Sequence, residues 1–447
     1  MIRLPDYIQD DAILTRLWGY SDQPEVTVNG RPVPVTDGTW ESAFEDGDML
    51  LADADSRVTL HNVRHGLVIL AAGQSNMEWP VRDSLNEDEI RRRLEGKDIS
   101  WLQVPRILYP GHDSGEDMQW RRLKPDAIGD VSAVGLLATL EVAERTGRPI
   151  ALVGCYKGGS SASSWVPEED LKADPALEAF YVTDYWADIA DQTDEEEDAR
   201  IAAFEQEVDD YNRRFADFDK AHPELSRAEK KDIMGHTPFP GPKGRKDFLR
   251  PAGLWDTMAT CLKGLAPDIL LWYQGEEDTK FAKGYKSLLT KLLARWRREL
   301  EQPDLPVVIA QLPGYMEYNP DKDWGTLRLA QMAVAEADSD AEIVCLLDAG
   351  DHENIHPQNK TIPGYRMGRM AAAMLGLEPY QDGPKVVRQT PDRVWFDQVL
   401  ETGSDSLAWT GSHGLECDPV VRIRSATGIP AFPFKACDRI VTEDQEA

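Results

Sequence analysis

Leu67-Val68-Ile69-Leu70-Ala71-Ala72, followed by Gly73-Gln74-Ser75-Asn76-Met77, decides the reading of this chain. Apolar residues without alternation suit a strand buried on both faces, the habit of parallel sheets. The polar, glycine-led turn after it places the Ser75 hydroxyl at the carboxyl edge of that sheet, where open α/β sheets hold ligands. A serine so placed suits nucleophilic attack. It then needs a base, an orienting acid and donors for an oxyanion.

Outward from this strand the pattern repeats. Apolar runs at 150–154, 269–273, 307–312 and 343–348 predict further parallel strands. Helical stretches lie between them. In 285–300, Tyr285, Leu288, Leu289, Leu292, Leu293, Trp296 and Leu300 share one face, and a second helix is predicted over 132–145. Strands alternating with helices predict a parallel, doubly wound α/β unit over 66–380. Residues 1–65 read as a small β-rich part with a hairpin at Asn29-Gly30. Residues 381–447 read as β again and are expected to join the N-terminal strands. Residues 186–250 interrupt the rhythm. Their helix opens at Asp194 with acids that suit its dipole and carries Ile201, Phe204, Val208, Tyr211, Phe215 and Phe218 along a seam. This insertion is expected to pack over the unit, with lining the site or pairing two subunits as a homodimer as the alternatives.

Composition narrows the class. A chain of 447 residues with 41% hydrophobic residues supports two or three units with a large core. A formal net charge of −30 excludes nucleic acid and anionic membrane surfaces as natural partners. The five cysteines form no CxxC pair, and Cys155 and Cys345 lie in or beside apolar runs, so they read as core thiols. No run reaches the roughly 20 apolar residues of a membrane span, and the first residues do not resemble a signal peptide, so a cytoplasmic location is expected.

The strand ends supply the chemistry as a set. Lys157-Gly158-Gly159-Ser160, Gln274-Gly275-Glu276-Glu277 and Asp348-Ala349-Gly350-Asp351-His352-Glu353-Asn354-Ile355-His356-Pro357 join the Ser75 turn at one sheet edge. Ser75 is the candidate nucleophile and His356 the candidate base, with His352 behind it. Glu353 is the candidate orienting acid, followed by Asp351 and Asp348. The Ser75 backbone N–H, a glycine N–H from Gly158 or Gly159 and the Gln274 amide are the candidate oxyanion donors. Met77 breaks the Gly-x-Ser-x-Gly elbow, which argues against an ordinary α/β-hydrolase. The His61/His65 spacing lacks the glutamate of a zincin, and no metal is expected. Two other classes remain: a glycoside hydrolase using Glu276 and Glu277, and a non-catalytic carbohydrate-binding protein.

Five strings taken together resemble the sialate O-acetylesterase family, a branch of the SGNH hydrolases. They are Gly73-Gln74-Ser75-Asn76-Met77-Glu78, Gly158-Gly159-Ser160 ahead of Trp165, Trp272-Tyr273-Gln274-Gly275-Glu276, Leu327-Arg328-Leu329-Ala330-Gln331 and Ile355-His356-Pro357-Gln358-Asn359-Lys360. The resemblance implies a flavodoxin-like three-layer α/β/α core with a small accessory β domain built from both chain ends. It implies Ser75 as nucleophile, His356 as base, and Gly159 (or Gly158) with Gln274 as oxyanion donors. Asn76, Glu276, Arg328 and Trp165 are the accompanying candidates for substrate binding. It implies an O-acetylated sugar as substrate, sialic acid first and acetylated xylan fragments as the rival, with no cofactor. A sialate carboxylate would need a local cation, for which Arg328 or Lys157 is available. The chain departs from the family at Asn354, where an aspartate often stands.

Overall fold

The computed structural model describes residues 1–225, 227–235 and 237–437. Part of the insertion and the end of the predicted C-terminal β part, 438–447, therefore lie outside the described residues. The centre is a seven-stranded sheet. Its strands are β1 (Leu67–Gly73), β2 (Ile99–Gln103), β3 (Arg121–Arg122), β4 (Ile150–Tyr156), β5 (Ile269–Tyr273), β6 (Val307–Ala310) and β7 (Ala341–Val344), in the order β3-β2-β4-β1-β5-β6-β7. Every pairing is parallel except β3 on β2. Leaving aside the edge pair β2 and β3, the order is that of flavodoxin-like sheets, with β1 central.

Strand periodicity divides the core in two. Val68, Leu70 and Ala72 face one apolar cluster, and Leu67, Ile69 and Ala71 face the other. The first cluster takes α3 (Ala282–Glu299) and α4 (Trp324–Ala335); the second takes α1 (Ala133–Ala143) and α5 (Thr361–Met374). On α3, Leu288, Leu289, Leu292, Leu293 and Trp296 are all buried. Each such side chain contributes about 1.5–3 kcal/mol of burial. The predicted strands and helices are thus present, within a few residues at their ends. The sequence reading missed β2, whose Ile-Ser-Trp-Leu-Gln alternates weakly yet is buried over four of its five residues.

Among the described residues, the two chain ends do not build one joint sheet. The N-terminal strands form a five-stranded sheet and a two-stranded ribbon; Glu25–Val28 and Arg31–Pro34 pair around Asn29 and Gly30, both at positive φ. Their apolar residues, among them Val26, Trp18 and Leu51, join the cluster on the α3 side of the main sheet. The C-terminal strands Val386–Thr390, Arg393–Phe396 and Ser406–Ala408 form a separate sheet over a separate cluster that includes Val394, Phe396 and Phe434. The expectation that the C-terminal strands pair with the N-terminal ones is corrected: each set covers its own apolar face elsewhere.

The insertion folds as a long helix, α2 (Asp194–Ala221), started by a capping box from Thr193 and Glu196. Of its seam, Tyr211 and Phe215 are the buried residues, and both lie in its C-terminal half. Among the described residues, no helix is long and apolar enough to cross a membrane. All five cysteines are free, and Cys155 and Cys345 are buried as expected.

Candidate active site

Because β1, β4, β5 and β7 are parallel, their following loops meet at one edge. Gly73 ends β1 with φ 142°, and a side chain there would strike the Tyr273 carbonyl at 2.1 Å. Only glycine lets the chain turn here against β5. The turn delivers Ser75 to the first position of a short helix, Ser75–Glu78. Its Oγ lies 2.7 Å from His356 Nε2, across 281 residues of sequence. The sequence reading brought these two together, and the structure does so within hydrogen-bond distance.

His356 sits on a loop held from several sides. Its ring stacks on Trp79 at 5.2 Å between centroids and 20° between planes. The Asn354 side chain accepts the His356 backbone N–H at 2.9 Å, a local turn that suits an asparagine at this departure from the family string. Asn76, next to Ser75, donates to the Ile355 carbonyl at 3.0 Å and to Glu276 Oε1 at 2.7 Å. Its own oxygen accepts from Lys360 Nζ at 2.7 Å. One buried amide therefore bridges a carboxylate, an ammonium and the histidine loop. Burial pushes the Glu276 carboxyl up from its ordinary range and pushes Lys360 down to about 7.

Several candidates land elsewhere. Glu353 is exposed, and among the described residues its carboxylate makes no hydrogen bond to His356; its backbone N–H donates to Asp351. Asp351 is spent on that turn, accepting from the N–H groups of Glu353 and Asn354. Asp348 is tied to Arg366 and Arg424, which hold its carboxyl below the usual range. His352 pairs with Asp418 at 2.5 Å. The expected acid partner is thus not placed by any of these three carboxylates. A single residue-spacing argument could not foresee that the loop turns Glu353 outward to water.

The oxyanion candidates also divide. The Gly158 N–H donates to the Glu78 carboxylate, which in turn pairs with Arg106, so Gly158 is not available to an oxyanion. A Cβ on Gly158 would lie 3.4 Å from Ser75 Cβ, so this backbone runs directly beside Ser75. Gly159 follows at φ 74°, where glycine is favoured. Neither the Gly159 N–H nor the Ser75 N–H has a protein acceptor among the hydrogen bonds of the described residues. Gln274 does not face Ser75. Its amide donates to the Ser160 carbonyl at 3.1 Å and to Asp278 at 2.6 Å, and its oxygen accepts from Tyr285 at 2.9 Å. Gln274 therefore fixes the Gly158–Gly159–Ser160 turn from behind, and Trp165 does the same by donating to Ser160 Oγ at 2.9 Å.

The proposed substrate binders are mostly structural. Trp165, Asn76 and Arg328 are fully buried, and Glu276 nearly so. Arg328 donates to five backbone carbonyls, those of Leu312, Pro313, Gly414, Glu416 and Cys417. It fastens the C-terminal segment to α4, and burial lowers its pKa to about 10. Lys157 is pushed down by burial, and its ammonium lies 4.5 Å from the centroid of the Phe248 ring. Arg328 is thus not an open site for a substrate carboxylate, while Lys157 lies within electrostatic range of the cavity-wall residues Glu78, Arg106 and Glu116. Glu276 and Glu277 do not flank a shared cleft either: Glu276 is held by Asn76 and Glu277 by Lys280.

Ser75 and His356 open onto a cavity of about 560 Å³. Trp79, Trp101, Arg106 and Tyr156 form part of its wall, and sequence reasoning singled out none of them. Trp101 and Tyr156 belong to β2 and β4, and the missed strand β2 was the lost signal. The insertion reaches the rim. A Cβ on Gly159 would meet the Phe239 ring at 2.5 Å, and Lys231 Nζ lies 5.3 Å from the Trp79 ring centroid.

Residues 256–375 match the model of the family described as carbohydrate esterase, sialic acid-specific acetylesterase. That stretch holds Gln274, Arg328 and His356, and it bears out the resemblance drawn from the motifs. XAC1771, a carbohydrate acetylesterase from Xanthomonas citri, has a similar structure: TM-score 0.69 at 18% identity, covering 98% of this chain and 100% of that one. At that identity the likeness speaks for the fold. NanS aligns at TM-score 0.35 and 12% identity over 69% of this chain and 96% of its own. A family two carbohydrate esterase from Clostridium thermocellum aligns at 0.32 and 11% over 81% and 86%. Both are too remote to bear on the argument. No curated protein sequence matches the chain. The family match supports a carboxylic ester hydrolase acting on carbohydrate.

Proposed function

We propose that this protein is a serine esterase that removes O-acetyl groups from sugars through an acyl-enzyme. The observation that carries the reading is the 2.7 Å contact between Ser75 Oγ and His356 Nε2 at the mouth of the cavity. His356 takes the Ser75 proton as the oxygen attacks the acetyl carbonyl. The Ser75 and Gly159 N–H groups receive the oxyanion. His356 then protonates the departing sugar oxygen, and water releases acetate through the same base. Stacking on Trp79 and the loop held by Asn76 and Asn354 help to orient the imidazole. The reading includes an SGNH-type three-layer core, for which the flavodoxin-like strand order and the two apolar faces are the support. Sialic acid is the sugar that the family resemblance implies, and acetylated xylan fragments are its rival.

Acetate release from a panel of O-acetylated sialic acids and xylo-oligosaccharides tests the reading. Wild type should release acetate from at least one member, and Ser75→Ala should release it from none. A wild-type protein inert on every ester would end the enzymatic reading in favour of carbohydrate binding alone.

A further inference from the structure

The loop after β4 runs beside Ser75 and is then locked in place. Gly158 lies against Ser75, and Gly159, next along, has an N–H without a protein acceptor among the described residues. An oxyanion donor must be held to a fraction of an ångström. Glycine supplies no stiffness of its own, so the rigidity has to come from the residues that follow. These are Ser160, Ser161 and Ala162, all buried. Ser160 is held at its carbonyl by Gln274 and at its hydroxyl by Trp165. Ser161 and Ala162 are both held by one side chain, Asp278, four residues beyond Gln274 in the loop after β5.

Asp278 is 2% exposed, and its two oxygens accept four hydrogen bonds. Its Oδ1 takes the Ser161 hydroxyl at 2.5 Å and the Tyr181 hydroxyl at 2.7 Å. Its Oδ2 takes the Ala162 N–H at 2.8 Å and the Gln274 amide at 2.6 Å. A filled set of this kind is what a buried carboxylate needs. Burial pushes its pKa up, and the four donors work against that rise. Two of the donors belong to the β4 loop and one to the β5 loop, so Asp278 clamps the two loops together. Neither Asp278 nor its donors are among the residues that line the cavity with Ser75. Whatever Asp278 does for the reaction, it does through the loop.

We infer that Asp278 is a positioning residue for the oxyanion site: by fixing Ser161 and Ala162 it sets where the Gly159 N–H stands relative to Ser75, through geometry and not through its charge. This rests on the esterase reading of Ser75 and His356, with Gly159 as a donor. An amide in place of the carboxylate can do most of the same work. Its oxygen can take the Ala162 and Gln274 N–H groups, and its NH2 can face the Ser161 and Tyr181 hydroxyls, which also accept. A methyl group can do none of it.

The test uses the full chain with p-nitrophenyl acetate, or the acetylated sugar that wild type cleaves best. The kcat is counted per Ser75 that reacts to completion with a serine-directed phosphonate, so that misfolded molecules drop out. Asp278→Ala should lower kcat per site about 30- to 100-fold with KM within about threefold. Affinity for a boronate that forms a tetrahedral adduct on Ser75 should fall by a similar factor, because the adduct uses the same donor. Asp278→Asn should recover kcat to within about fivefold of wild type. Ser161→Ala is a smaller cut that leaves the carboxylate its other three donors. It should lower kcat per site about five- to tenfold at constant KM, and it decides the outcome if Asp278→Ala does not fold. A carboxylate that serves stability alone would lower the unfolding midpoint and leave kcat per site and boronate affinity unchanged, and that result would overturn the inference. So would a loss in Asp278→Asn as large as in Asp278→Ala, or a raised KM at constant kcat. If wild type hydrolyses no ester, or Ser75→Ala hydrolyses as well as wild type, it is the esterase reading itself that fails.

Discussion

Asn76→Ala perturbs the point where stability and catalysis meet. The side chain donates to Glu276 and to the Ile355 carbonyl and accepts from Lys360, all at 2.7–3.0 Å and all in the interior. Hydrogen bonds to charged groups contribute about 1.5–3 kcal/mol each, and a neutral one about 1. Truncation also strands a buried carboxylate and a buried ammonium, a situation that costs about 3–5 kcal/mol. A loss of about 4 kcal/mol is therefore expected. With a urea dependence of about 3 kcal/mol/M, the unfolding midpoint should fall by more than about 1 M. The second consequence is kinetic. The freed Ile355 carbonyl precedes His356 directly, so the imidazole loses one of its supports. A displacement near 1 Å costs about 100-fold in rate. On a substrate with measurable turnover, kcat should fall by about that factor with KM little changed. A midpoint within about 0.3 M of wild type together with a kcat within about twofold would refute the bridging role.

Other outcomes follow from the same geometry. Lys360 holds its proton in the unfolded chain up to about pH 10.4 but in the folded one only to about pH 7. Between those values the unfolded state binds more protons, so wild-type stability should rise with pH, by up to about 1.4 kcal/mol per unit. Lys360→Met should flatten that rise in urea midpoints taken at pH 7 and 9. Arg328→Lys cannot serve five carbonyls, and should destabilise the chain by about 3 kcal/mol; limited proteolysis should then cut first in the segment around Gly414 and Cys417, which that guanidinium ties down. Glu353→Gln should leave kcat within about twofold, because the carboxylate stands in solvent away from His356; a hundredfold loss would restore it as the orienting acid.

What could be read from the sequence was what period and chain order determine. The β1 run, the later apolar strands and the amphipathic α3 set the parallel sheet, and a parallel sheet necessarily gathers its carboxyl-end loops. Ser75 and His356 follow from that gathering. Side-chain direction was not legible. Gln274 and Trp165 are in the expected loops, but their donors turn toward Ser160, behind the nucleophile. Arg328 sits in a motif that resembles a binding string, yet its partners are all backbone carbonyls, three of the five of them 86–89 residues away on the C-terminal segment. Glu353 has the right spacing from His356, and the turn made by Asp351 and Asn354 rotates it outward. The strand β2 escaped notice because Ser100 and Gln103 interrupt its apolar run. With it went Trp101 and the wall of the cavity.

The account stands on a nucleophilic hydroxyl activated by one imidazole. Intact-mass analysis after treatment with a serine-directed phosphonate tests this most directly. Wild type should gain a single adduct, mapped to Ser75; Ser75→Ala should gain none, and His356→Ala should be modified far more slowly. An unmodified wild type, or an adduct on another residue while Ser75→Ala still releases acetate, would contradict the account.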